Sequence, residues 1–159
     1  MTSPPDPDAD PVHQRPDGVS DDEVAAVGRM NEAVEMIERA RGHLYAFHQL
    51  TGYADELLDG VVDGLTRTGH AGVADRISEE LIGLNVVAGR WTFQVVEEYD
   101  DGYYRTFREL DRAVRDEVVR GRRHVMEAEA KERRRTRGRP GHAARPRERD
   151  EPGSEEDQP

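Results

Sequence analysis

Apolar residues recur at alternating steps of three and four through residues 20–135, and this period constrains the fold more than any other feature. Such spacing places apolar side chains along one face of an α-helix. No useful stretch alternates with a period of two, so the sequence predicts no strand. We therefore expect an all-α fold: an antiparallel bundle of about four helices, two long and two short.

Turn and capping residues divide this helical stretch. Ser20 and Glu23 are spaced as a capping box at the start of the first helix. Thr51-Gly52 is expected to end that helix, and Gly69 to end the second. A short third helix and a loop over residues 85–90 precede the fourth helix, which is expected to start at Trp91 or Thr92. The seam predicted for the fourth helix comprises Val96, Asp100, Tyr103, Phe107, Leu110, Val114 and Val118.

Composition separates the helical stretch from two tails. The whole chain is 35% apolar and 36% charged, which is too polar for one evenly globular chain. Residues 1–19 are rich in Pro and Asp, and residues 136–159 combine Pro, Gly, Arg and acidic side chains. We expect both tails to be disordered and residues 20–135 to form one helical domain that ends in a basic helix.

Missing residue types exclude several classes of protein. The chain has no cysteine, which rules out a disulfide scaffold, a thiolate zinc site and a cysteine nucleophile. None of its four serines lies in a Gly-x-Ser-x-Gly motif. No apolar run approaches the ~20 residues of a membrane span, and the N-terminus lacks the pattern of a secretory signal. We expect a cytoplasmic protein with no membrane contact and no cofactor.

Polar residues interrupt the seams of the two long helices. Arg41 and His48 lie seven apart on the first helix, and Asp100 lies on the fourth, one turn after Glu97. An unpaired charge in a seam is costly, so Asp100 or Glu97 is expected to face Arg41 or His48 across the bundle. One interpretation is a structural pair that sets the helix register. The other is an enzyme site in which the four side chains converge on a small ligand.

A metal site is a narrower form of the enzyme interpretation. The sequence contains no Glu-x-x-His motif of the di-iron type. A single ion held by His48, Glu97 and Asp100, with His124 completing the set, remains an alternative. Our expectation is no metal, with these four residues as the candidates against which to test it.

Aromatic side chains concentrate in residues 91–104, beside four acidic residues. They could pack in the core, line a pocket for a cationic ligand, or form a contact surface, since Trp and Tyr dominate interaction hot spots. The candidate contact residues are Trp91, Phe93, Tyr99, Tyr103 and Tyr104. A second candidate contact surface is the basic helix over residues 120–135.

The C-terminal segment contains Arg137-Gly138-Arg139-Pro140, which resembles the core of an AT-hook. Arginines in such a segment insert into the DNA minor groove. Arg137 and Arg139 are therefore the candidates for weak nucleic-acid contact, in competition with the acidic end of the chain.

Residues 40–52 and 89–99 are similar to a group of small actinobacterial proteins, with the resemblance extending over residues 30–141. That group has no assigned activity, so the resemblance implies neither a mechanism nor site residues. We expect a non-enzymatic interaction or regulatory module that binds a protein partner or itself, for example as a homodimer. The alternatives are a helical-bundle enzyme and a weak DNA-binding protein.

Overall fold

A computed structural model describes residues 11–144 and confirms the all-α prediction. Its five α-helices are α1 (Asp21–Arg67), α2 (Ala71–Glu80), α3 (Thr92–Tyr99), α4 (Arg105–Val119) and α5 (Val125–Arg134). One turn of π-helix, Asp100–Tyr104, joins α3 directly to α4. Residues 1–10 and 145–159, which include most of both predicted tails, lie outside the described residues.

The first two predicted helices are one helix, so the expected stop at Thr51-Gly52 was wrong. Helix α1 runs without a break through Gly52, which does not have a positive φ. The predicted capping box does begin the helix, because the Ser20 amide donates to Glu23 Oε2 at 2.7 Å. Gly69 ends it with φ +84°, and the His70 amide returns to the Leu65 carbonyl at 2.9 Å. This hydrogen bond belongs to the Schellman motif, which a glycine with positive φ favours.

The chain divides into two compact units. The terminal unit combines the described residues up to Asn31 with those from Asp111 onwards, and the central unit is Glu32–Leu110. The terminal unit contains a small apolar core built from α1, α4 and α5. Gly28 permits close packing there, since a Cβ at this position would lie 2.3 Å from Met126 Sδ. The buried members of this core are Val24, Val27, Val119 and Val125.

Residues 11–19 make specific contacts within the terminal unit. Arg15 donates to both carboxylate oxygens of Glu129, at 2.7 and 2.9 Å, and to Asp21 at 2.6 Å. The Arg122 guanidinium donates to the Gln14 carbonyl at 2.6 Å. These contacts are ion pairs and hydrogen bonds to backbone carbonyls, which a low apolar content does not reveal.

In the central unit, α1 and the segment from α3 to α4 run antiparallel. Arg41 contacts Asp100, whereas His48, later on α1, contacts Thr92, which comes earlier than Asp100 in the chain. The two segments therefore run in opposite directions. This direction agrees with the predicted pairing of the long helices.

The π turn changes which residues of the fourth predicted helix face inward. A π turn holds i→i+5 hydrogen bonds, and here the Arg105 amide donates to the Asp100 carbonyl. Tyr103, within this turn, and Leu110, after it, are exposed members of the predicted seam, at 60% and 58%, whereas Phe107 is partly buried and Asp111 is buried.

Many large apolar side chains are exposed on the central unit. Only three of its apolar residues are buried, Val34, Ala74 and Val96. Many larger ones are exposed, including Leu50 at 67% and Trp91 at 60%. None of the helices described over residues 11–144 has the length and apolar character that a bilayer crossing requires.

Candidate functional site

Arg41 and Asp100 form the centre of the candidate polar cluster. Arg41 Nε and one terminal nitrogen donate to the two carboxylate oxygens of Asp100, at 2.7 and 2.8 Å. Both side chains are about a quarter to a third exposed. This two-pronged geometry is the strongest form of an arginine–carboxylate pair. It is one of the alternative pairings that the interrupted seams predicted.

Tyrosines enclose this pair. The Arg41 guanidinium lies over the rings of Tyr45 and Tyr104, 4.8 and 4.9 Å from their centres. The Tyr45 hydroxyl donates to Asp100 Oδ2 at 3.1 Å, and the Tyr104 hydroxyl donates to Glu38 Oε1 at 2.8 Å. The cation therefore has aromatic faces on two sides and a carboxylate on a third, an arrangement that satisfies its charge and its donors.

The electrostatics of the cluster hold each group in its ordinary ionisation state. The Arg41 guanidinium keeps the pKa of Asp100 below its usual range, and the hydrogen bonds to Asp100 raise the pKa of Arg41. The hydrogen bond to Glu38 raises the pKa of Tyr104, and burial raises the pKa of Tyr99. All four shifts move the pKa away from neutral pH, whereas an acid or base in catalysis is usually tuned towards it.

His48 and Glu97 do not join this pair. His48 lies two turns along α1 from Arg41, where its Nδ1 is 2.7 Å from the hydroxyl of Thr92. Glu97 is exposed on α3. The structure therefore brings together two of the four predicted cluster residues, Arg41 and Asp100, and places the other two apart from them.

Among residues 11–144, no group of three or more His, Asp or Glu side chains is placed to hold a metal ion. His124 belongs to the terminal unit, whereas the other three candidates belong to the central unit. It precedes α5 with a left-handed backbone and lies 3.9 Å from Glu127.

The candidate aromatic residues fall into two groups. Trp91 and Phe93 make an edge-to-face contact with ring centres 5.3 Å apart, and both are exposed. Tyr99 stacks near Tyr104 at 6.4 Å and lies 6.1 Å from Tyr103. Tyr104 is part of the Arg41 cluster, whereas Tyr103 is turned outward by the π turn.

The AT-hook-like segment is folded back on its own unit. Arg137 lies 3.6 Å from Glu132, and the Thr136 amide donates to His142 at 3.1 Å. The Arg139 amide donates to the Thr136 carbonyl. DNA binding through Arg137 and Arg139 stays a prediction.

Three partners in the central unit escaped the sequence analysis: Tyr45, Glu38 and Thr92. The first two are one turn on either side of Arg41, and this spacing of three or four residues is the signal that could have identified them. In the terminal unit, the buried Asp111 pairs with Arg115, again four residues away.

Comparison with known proteins gives no relative. No protein-family model matches the chain, and no curated protein or solved structure matches it significantly.

Proposed function

We propose that this chain is a protein-interaction module with no catalytic role, and that it binds through the apolar surface of its central unit. The observation that carries the proposal is the exposure of large apolar side chains there, with Trp91 and Tyr103 each at 60%. Contiguous apolar surface on a protein marks sites of association. Exposed Trp and Tyr are the side chains that most often supply binding energy.

The polar cluster supports this proposal over the enzyme alternative. Arg41 and Asp100 are hydrogen-bonded to each other. The pKa of Arg41 is raised and that of Asp100 is lowered, so neither side chain exchanges a proton readily near neutral pH. His48 is paired with Thr92, and Glu97 is exposed. A pair of this kind fixes the alignment of α1 with the π turn, so that the aromatic side chains are presented on a defined backbone.

Alanine substitution of the exposed aromatics tests the proposal. Immobilised wild-type chain, Trp91→Ala and Tyr103→Ala are compared for the proteins they retain from a lysate of the native host. Both variants should retain less than wild type, because each loses exposed aromatic area without opening a buried cavity. Tyr103→Phe is the matched control, since it keeps the ring and should retain as much as wild type.

Circular dichroism checks that both alanine variants keep the helical content of wild type. If folded Trp91→Ala and Tyr103→Ala both retain the same proteins as wild type, this surface is not the binding surface.

A further inference from the structure

We infer that the terminal unit contains a peptide-binding site for an extended segment with arginine followed by proline, and that residues 11–17 of this chain cover the site. We call residues 11–17 the strap. The partner that fits the open site is a protein segment of the same kind, which competes with the strap. This site lies in the terminal unit, apart from the apolar surface of the proposed function, and goes beyond it.

The strap is anchored by its arginine. Arg15 donates through Nε and one terminal nitrogen to the two carboxylate oxygens of Glu129, at 2.7 and 2.9 Å. Its other terminal nitrogen donates to Asp21 at 2.6 Å. Arg133 comes no closer to Glu129 than 3.9 Å, so Arg15 is the main partner of this carboxylate. The two-pronged geometry selects a planar guanidinium, which lysine does not match.

Two arginines in the turn between α4 and α5 hold the strap by its backbone. Arg122 donates to the carbonyls of Pro11 and Gln14, at 2.9 and 2.6 Å. Arg120 donates to the carbonyl of Asp17 at 3.3 Å. Every peptide has backbone carbonyls, so these contacts suit an extended segment whatever its side chains. Peptide-recognition sites combine main-chain contacts of this kind with a specific side-chain contact, which Arg15 supplies here.

The turn that contacts the strap has a strained backbone. Arg120 and His124 have φ values of +53° and +58°, a left-handed conformation that a Cβ makes unfavourable. Backbone strain is concentrated at sites that clamp a ligand, where the surrounding contacts maintain it. The His124 ring contacts the His13 ring at 6.0 Å, and His13 Nδ1 lies 2.7 Å from the Arg123 carbonyl. Both strained residues therefore contact the strap.

The strap can leave this site without opening the apolar core. The buried valines of that core belong to α1, α4 and α5. Within the strap only Pro16 is buried. Segments with few buried apolar contacts open locally at a low free energy. Gly18 joins the strap to α1 with φ +85°, and the conformational freedom of glycine permits rotation there.

The covalent link to α1 sets the affinity expected of a free peptide. A segment joined by a short linker has an effective concentration of about 1 mM at its own site. The strap occupies the site in the structure, so the closed state is favoured over the open one. A free peptide of the same sequence should therefore bind the open site with a dissociation constant below about 1 mM.

A fluorescein-labelled peptide with the sequence of residues 11–17 tests the site by fluorescence anisotropy, with the chain titrated to about 1 mM. The Arg15→Ala chain should bind it about tenfold more tightly than wild type, because its own strap has lost a hydrogen-bonded charge pair and competes less. The same peptide with alanine in place of its arginine should bind the Arg15→Ala chain about tenfold more weakly. Circular dichroism checks that this chain keeps the helical content of wild type.

Two further substitutions in the Arg15→Ala chain locate the site. Glu129→Gln should weaken peptide binding about tenfold, because the peptide arginine loses its two-pronged carboxylate partner. Asp22→Asn is the matched control. It removes an acidic charge from the exposed first turn of α1, beside Asp21, and should change the dissociation constant less than about twofold, since exposed charges contribute little.

Four results would overturn the inference. The first is no peptide binding by a folded Arg15→Ala chain at the top of the titration, and the second is equal binding by this chain and wild type. The third is equal binding of the two peptides, and the fourth is a Glu129→Gln substitution without effect. These outcomes leave the proposed function standing, because retention of host proteins through Trp91 and Tyr103 is measured separately.

Discussion

Gly52→Ala should stabilise the protein, because α1 continues through this position. Glycine in a helix interior is about 0.5–1 kcal/mol less favourable than alanine. A Cβ at Gly52 would meet no atom within 4 Å, so no clash offsets this gain. We expect the free energy of unfolding to rise by about 0.5–1 kcal/mol, and Tm to rise by about 1–4 °C. Urea and thermal unfolding followed by circular dichroism measure both.

Gly69→Ala is the matched control, in which the same substitution should destabilise the protein. Gly69 has φ +84° at the end of the same helix, and alanine in a left-handed conformation costs about 1–2 kcal/mol. The same chemical change should therefore stabilise at residue 52 and destabilise at residue 69. If Gly52→Ala lowers the unfolding midpoint as Gly69→Ala does, α1 ends near Gly52 and our account of the helix is refuted.

Two other substitutions test packing and charge. Gly28→Ala should lower the free energy of unfolding by about 1–3 kcal/mol, because the added methyl group overpacks against Met126. If Gly28→Ala lowers the free energy of unfolding equally in a Met126→Ala background, the contact with Met126 is not the cause. Asp100→Asn tests the pair with Arg41, which lowers the pKa of Asp100 and so stabilises the folded state above pH ~4. The gap in urea midpoint between wild type and Asp100→Asn should therefore narrow as the pH falls from 6 to 3, and a constant gap would show that ionisation of Asp100 does not stabilise the fold.

Local chemistry made part of this structure predictable from the sequence. The apolar period predicts helices because it follows directly from helix geometry. The spacing of Ser20 and Glu23 predicts the cap, since both partners lie within one turn. Asp100 or Glu97 was expected to pair with Arg41 or His48 because a charge in an apolar seam needs a partner, and the pair of Arg41 with Asp100 is one of these alternatives.

The errors arose where neighbouring parts of the chain override local preference. Gly52 resembles a helix stop, yet the inward face of α1 continues past it through Leu58 and Val62, which are partly buried. Tertiary contacts of this kind outweigh the modest cost of one glycine. The π turn left no clear mark in the sequence, so Tyr103 was placed inward and Tyr104 was not linked to Glu38.

The π turn also makes the number of residues between α3 and α4 matter for the contacts with α1. Its geometry accommodates one residue more than two turns of α-helix would hold between Asp100 and Arg108. Gly102 lies within it, and its Cα faces open space. Arg108, after the turn, lies 3.5 Å from Glu38 of α1. A chain shortened by one residue at Gly102 should close as plain α-helix and still direct Asp100 towards Arg41 and Arg108 towards Glu38. Deletion of one residue at this turn should therefore leave both contacts with α1 in place, whereas a deletion within α3 or α4 would rotate the following residues away from α1.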